Sequence, residues 1–178
     1  MFVGERIILR TVRSSDMDEY VELASDITAQ CEHFPRSISS ETRIRDSFHR
    51  NGMWTDDYGV LLVIEKETQR IIGSVMFFKP VQFYDCFEIG YVTYNPADRG
   101  KGYIVEACRL LIQYLFDLKQ IYRIQIQCSP LNIPSNRVAL RLGFTLEGTM
   151  RQAFISKGKP GDVNVYSILR SEFESKEA

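Results

Sequence analysis

The sequence predicts a single α/β domain over residues 1–178, with a central, mostly antiparallel sheet, one parallel strand pair and helices on both faces. Three observations carry this. Apolar runs at 60–65, 71–78 and 86–94 are separated by short polar links, which reads as an antiparallel meander. The third run is followed by Tyr103, Ile104, Ala107, Leu110, Leu111, Tyr114, Leu115 and Leu118 at helical spacing, then by a strand pattern at 123–128. A strand–helix–strand unit of this kind returns parallel to its partner by a right-handed crossover. With 44% apolar residues in 178, the chain can bury a substantial core.

The remaining elements follow in order. Residues 6–12 read as a first strand. Ser14, Ser15 and Asp16 offer a cap, and Met17, Tyr20, Val21 and Leu23 or Ala24 carry a helix over 16–25. Pro35 and residues 37–40 read as loop, 41–50 as a polar helix and Asn51-Gly52 as a turn. The long segment 26–58 is either a substrate-binding region or a solvated cap. Gly73, inside a strand, predicts a bulge or the close approach of another backbone. Asn132 is an N-cap with Pro134 in the first turn behind it, and Gly143 suits the C-terminal end of that helix. Residues 144–156 and 163–169 read as a closing strand pair linked by 157–161, and the charged tail 171–178 as a fraying end.

Composition narrows the function. A net charge of −1 and a pI near 6.2 give no global attraction to nucleic acid or to an anionic membrane. Cys31, Cys86, Cys108 and Cys128 form no Cys-x-x-Cys pair, and with His33 and His49 they lack the spacing of a metal site, so chemistry without a metal is expected. Free thiols, a polar N-terminus and no membrane-length apolar run predict a cytoplasmic protein.

The stretch from Tyr94 to Ala107 is the organising motif. Pro96 stops the strand ladder, Gly100 and Gly102 turn the chain tightly, and a helix opens directly afterwards. Such a corner aims unpaired N–H groups and the positive end of a helix dipole at one point, a cradle for phosphate, with Arg99 and Lys101 beside it. The alternative is plain turn chemistry. The loop is not a P-loop, since no Gly-Lys-Ser/Thr follows, and Val105 stands where a dinucleotide fingerprint has its third glycine.

Taken together, the order of elements resembles the GNAT acyltransferase superfamily, and the RimJ/RimL-like branch of protein N-acetyltransferases within it. The resemblance spans nearly the whole chain. It rests on Gly4-Glu-Arg-Ile-Ile-Leu-Arg10, Ile72-Gly73, Glu88-Ile-Gly-Tyr91, Arg99-Gly-Lys-Gly-Tyr103, Glu106-Ala107, Asn132-x-x-Ser135, Leu142-Gly-Phe144 and Glu147-Gly148. One departure is Ala97, where the superfamily loop usually begins with Gln or Arg. The resemblance implies an acetyl-CoA site, with the phosphates on the backbone of Arg99, Gly100, Lys101, Gly102, Tyr103 and Ile104. It implies that the strands holding Glu88 and Ile124 splay apart, so that pantetheine pairs with backbone near Tyr91, Val92, Thr93 and Tyr94. Asn132 and Ser135 would close over the thiol end. A homodimer is also common among such proteins.

The implied reaction, acetyl transfer to a primary amine, needs a base, an oxyanion donor and a group to meet the leaving thiolate. Glu88 is the candidate base. If Phe87, Ile89 and Tyr91 face the core, alternation turns Glu88 to the opposite side; the other reading is a strand glutamate paired with Lys79. A backbone N–H near Val92 would serve the oxyanion. Ser135 is the candidate acid or thiol-binding group, or simply a helix cap, and Tyr166 and Tyr103 are the alternative acids. Cys128 reads as a buried strand residue rather than a nucleophile, which favours direct transfer. The resemblance points to a protein N-terminal α-amine as acceptor. Small-molecule amines and a non-catalytic acyl-CoA-binding role are the alternatives. Asp56 and Asp57, if they line the acceptor side, would suit a cation.

Overall fold

In the computed structural model, residues 1–28, 30, 32–33 and 36–177 are described. Cys31 and Pro35 lie outside them. The chain runs β1 (Phe2–Val3), β2 (Ile7–Thr11), α1 (Met17–Ser25), α2 (Glu41–Asn51), β3 (Tyr58–Glu65), β4 (Ile71–Phe78), β5 (Cys86–Thr93), α3 (Tyr103–Leu118), β6 (Arg123–Cys128), α4 (Ile133–Arg141), β7 (Thr145–Ser156), β8 (Lys159–Leu169) and α5 (Arg170–Glu177). The strands form one eight-stranded sheet in the order β1-β2-β3-β4-β5-β6-β8-β7. Every neighbouring pair is antiparallel except β5 and β6, which the α3 crossover makes parallel.

The two faces are covered differently. On one, α3 buries Ala107, Cys108, Leu111, Ile112, Leu115 and Phe116 against Leu9, Leu61, Ile72, Val75, Phe77, Ile89, Ile124 and Ile126. Each fully buried Leu, Ile or Phe contributes about 1.5–3 kcal/mol. On the other face, Met17, Tyr20 and Val21 of α1 and Ile44 of α2 cover Val60, Leu62, Ile64 and Ile71. Beyond Val92 and Tyr94 that second core stops. The same face of β5, β6, β8 and β7 carries polar side chains, Glu88, Gln125, Ser167 and Glu147, instead.

Three boundaries differ from the sequence expectation. The closing hairpin turns on Lys157 and Gly158 alone, both at positive φ (50° and 73°), so its second strand begins at Lys159 and includes Pro160. Pro160 is tolerated because β8 pairs with β6 only from Asn164 onward, leaving no ladder partner on that side. The tail is a helix rather than a fraying end: Phe173 is buried with its ring 5.4 Å from that of Phe116, and the Arg170 guanidinium lies over the same ring. A two-residue strand, Phe2–Val3, also extends the sheet beyond β2.

Candidate active site

The site begins where the parallel pair ends. Only Cys86, Phe87 and Glu88 pair with β6, opposite Arg123, Ile124 and Gln125. Beyond that rung β5 continues on β4 and β6 on β8, so the sheet forks. The facing edges of residues 89–93 and 126–128 keep backbone donors and acceptors that no strand uses, the condition for an extended ligand to add as a strand. Gly73 sets the position of the β5 arm: any Cβ there would collide with the Val92 carbonyl oxygen. The Val92 carbonyl thus faces β4, and Tyr94 N–H also bonds toward β4, to Ile72 O at 3.1 Å. Alternation along the strand then turns the backbone of Tyr91 and Thr93 toward the fork.

At the upper end of β5 the glycine loop is held from three sides. The Asn95 side chain accepts from Ala97 N–H at 2.9 Å, capping a short 3-10 turn over Pro96–Asp98. Asp98 follows, its side chain only 2% exposed and ion-paired to Arg70 at 3.3 Å and Lys101 at 3.0 Å. Burial works against this carboxylate, but Lys101 and Arg70 outweigh it and hold its pKa below the ordinary value. Below the loop, Arg6 donates to Lys101 O at 2.7 Å, and its own N–H bonds Glu106 in the first turn of α3.

Gly100 and Gly102 sit at φ 75° and 89°, and a side chain at Gly100 would project into open space. The first N–H to close onto the start of α3 is that of Glu106, bonded to Gly102 O. The amides of residues 102–105 therefore precede the helical ladder and remain available to an anion. Ile104 is buried beneath them, and Arg99 is exposed. Lys101, which the sequence places beside the phosphate, is drawn to Asp98. Tyr103 points to Glu65, with which its hydroxyl hydrogen-bonds, and so lies away from the fork.

Glu88 is half-buried in the last rung before the fork, on the polar face. Its Oε2 accepts from Gln125 Nε2 at 2.8 Å, and it forms no ion pair with Lys79. Burial pushes its pKa up, and the Gln125 hydrogen bond offsets part of that rise. Across the fork, the Tyr91 hydroxyl lies 2.7 Å from Ser135 Oγ and joins the β5 arm to α4. Asn132 caps α4 by accepting from Ser135 N–H at 3.3 Å. Burial raises the Tyr91 pKa, so the phenol stays protonated near neutrality.

Tyr166 is buried and donates to Asn136 Oδ1 at 2.7 Å. Asn136 also accepts from Asn164 and donates to Ser129 O and Asn132 O, using its full hydrogen-bonding capacity. Asn136 thereby locks the Asn132–Ser135 corner onto β8. The sequence reading passed over it and Gln125; alternation on β6 in phase with Glu88 is the signal that singles out Gln125. Cys128 is buried at the end of β6. Asp56 pairs with Lys119 just past the C-terminal end of α3, away from the polar face.

The forked mixed sheet, with a glycine loop opening a helix beside the fork, is the architecture that the resemblance implies for an acyl-CoA-dependent acyltransferase. The chain belongs to the GNAT acetyltransferase family: the family model for the acetyltransferase (GNAT) domain matches residues 6–145. It is 32% identical over 138 residues to the ribosomal-protein-serine acetyltransferase of Escherichia coli, covering 77% of this chain and 76% of that protein. It is 28% identical over 169 residues, 95% of this chain and 96% of the relative, to the uncharacterized N-acetyltransferase YnaD of Bacillus subtilis. Among solved structures, the spermidine N-acetyltransferase of Vibrio cholerae in complex with CoA and spermine superposes with a TM-score of 0.82. That structure is 18% identical, with 95% of this chain and 98% of that one covered, a likeness of fold. The chain is thus an acetyl-CoA-dependent N-acetyltransferase. No helix among the described residues is long and apolar enough to cross a membrane.

Proposed function

We propose that this enzyme acetylates the N-terminal α-amine of a protein, by direct transfer from acetyl-CoA with Glu88 as general base. The observation that carries this is the isolation of Glu88: a desolvated carboxylate at the base of the fork, on the open polar face, with a neutral amide as its one protein partner among the described residues. The neighbouring carboxylate on that face, Glu147, is held by Arg123 and Ser167, and Asp56 by Lys119. A carboxylate without a cationic partner suits an ammonium group, and the ribosomal-protein-serine relative points to a protein α-amine.

In this reading Glu88 takes a proton from the bound ammonium, and the free amine attacks the thioester carbonyl. The C–N bond forms, the C–S bond breaks, the departing thiolate receives its proton from the Ser135 hydroxyl, which Tyr91 orients, and the Ser135 oxygen regains one from the attacking nitrogen, which sheds its second proton as it becomes the amide. The fork-facing amides of Tyr91 and Thr93 supply the oxyanion and pantetheine contacts, with Val92 turned toward β4 between them. The amides of Gly102, Tyr103 and Ile104, with Gly100, Lys101 and Arg99 around them, receive the pyrophosphate.

The pH profile of Glu88→Gln tests the base. A general base is worth about 10²–10⁴-fold, so kcat should fall by roughly 10² below pH 7 and recover as the amine deprotonates in bulk solution. The wild-type acidic limb should lie above the ordinary glutamate value of about 4.3, because burial raises this carboxylate. An unchanged limb in the variant removes Glu88 from the role.

A further inference from the structure

We propose that Gln125 is a positioning residue for the transfer, fixing the Glu88 carboxylate and reserving its Oε1 as the atom that receives the acceptor proton. The inference rests on Glu88 being the base, and its test separates the two claims. Gln125 is the register partner of Glu88 in the last rung of the parallel pair, so its place is set by the backbone at the fork itself. It is 8% exposed, and its Nε2 lies 2.8 Å from Glu88 Oε2.

The chemistry of the pair is one-directional. A carboxylate only accepts, so the amide must present its nitrogen, and a primary amide nitrogen has no lone pair to offer a carboxylic acid proton. A proton arriving on Oε2 would make that oxygen a weaker acceptor for the Gln125 N–H, whereas one on Oε1 leaves the contact in place. Oε1 has no protein donor among the described residues, so it is the oxygen open to the substrate.

The other neighbours of Glu88 do not duplicate this role. Its register partner on β4 is Phe78, and Cys86 and Gly90 flank it on the same face of β5. Arg123, one alternation back on β6, is engaged by Glu147 of β7, which also accepts from Ser167 of β8. Lys79 and Asp85 lie in the β4–β5 connection, and no charged side chain of α1 or α2 bonds to Glu88. Among the described residues, Gln125 is therefore the one group that favours the charged form of the base over the neutral one.

Two variants test this in the intact enzyme, by the pH dependence of kcat/KM for an N-terminal peptide at saturating acetyl-CoA. Gln125→Leu removes the donor and keeps the bulk, and the acidic limb should move up by about one pH unit, a loss of roughly tenfold below the limb. Gln125→Glu is close to isosteric and sets a second carboxylate against the first, so its limb should move further up. In a Glu88→Gln background, Gln125→Leu should produce no further movement. Limbs that stay in place in both variants, or an equal loss at every pH, would overturn the assignment and leave Gln125 as packing. If Glu88→Gln alone leaves the wild-type limb standing, the base itself is misassigned, which is a different failure.

Discussion

Replacing Gly73 by alanine tests the geometry of the fork most sharply. The added Cβ would fall inside 3.0 Å of the Val92 carbonyl oxygen, 3.1 Å from its carbon and 3.2 Å from Thr93 Cα, all backbone atoms that cannot swing aside. Restoring ordinary separations of about 3.5 Å requires the β5 arm to move on the order of 1 Å. Overpacking of this kind costs about 1–3 kcal/mol, and for a chain of this length each kcal/mol lowers Tm by about 2–4 °C. The functional effect should be larger, because the displaced segment carries the amides that the proposed mechanism sets against the thioester. A misplacement of about 1 Å costs around 10²-fold in rate. Thiol release from acetyl-CoA at fixed acceptor concentration, alongside a thermal melt, reads both. The expected result is a folded protein with a modestly lower Tm and kcat/KM reduced roughly 10²-fold. Wild-type kcat/KM would refute the reasoning, since the close contact between β4 and β5 would then have no bearing on catalysis.

Two further substitutions probe the supports of the site. Asp98→Asn removes the charge that holds Arg70 and Lys101 against the glycine loop, and should raise KM for acetyl-CoA about tenfold, the scale of one charge-assisted hydrogen bond, with kcat little changed. Because the Asp98 pKa is depressed, its contribution is complete above the ordinary aspartate value and lost only as pH falls through the lower folded value. Acetyl-CoA affinity measured by titration calorimetry should therefore show no Asp98 step between pH 5 and 8, and a step there would count against the latch. Phe173→Ala should cost about 3 kcal/mol by emptying the contact with Phe116, lowering Tm by about 6–12 °C; an unmoved melt would mean that α5 does not pack in solution.

Much of this fold was legible because the period of each segment is unambiguous. The runs at 71–78 and 123–128 coincide with β4 and β6, and the helical stripe from Tyr103 to Leu118 with α3. The tail was misread because its composition is charged, and one aromatic, Phe173, finds its partner only in the tertiary structure. The Lys157-Gly158 turn was overestimated because Pro160 looks like a loop residue until β8 is seen to lack a neighbour there.

For the site, the glycine loop and the alternation that turns Glu88 away from the core could be read directly. Its supports could not. Arg6, Glu65 and Arg70 meet the loop across distances of 28 to 95 residues, and Asn136 joins α4 to β8 through side chains that look like ordinary surface polar groups in sequence. Asp56, which would suit a cationic substrate if it lined the acceptor side, lies against Lys119 in the fold.

The most direct test of the proposed activity is thiol release from acetyl-CoA by the purified enzyme, compared between peptides with free N-termini, the same peptides with blocked N-termini, and spermidine. Acetylation at the α-amine of the free peptides, absent from the blocked ones and weak with spermidine, is the predicted outcome. Turnover confined to spermidine, or equal turnover of free and blocked peptides, would contradict the assignment of a protein α-amine to the Glu88 fork.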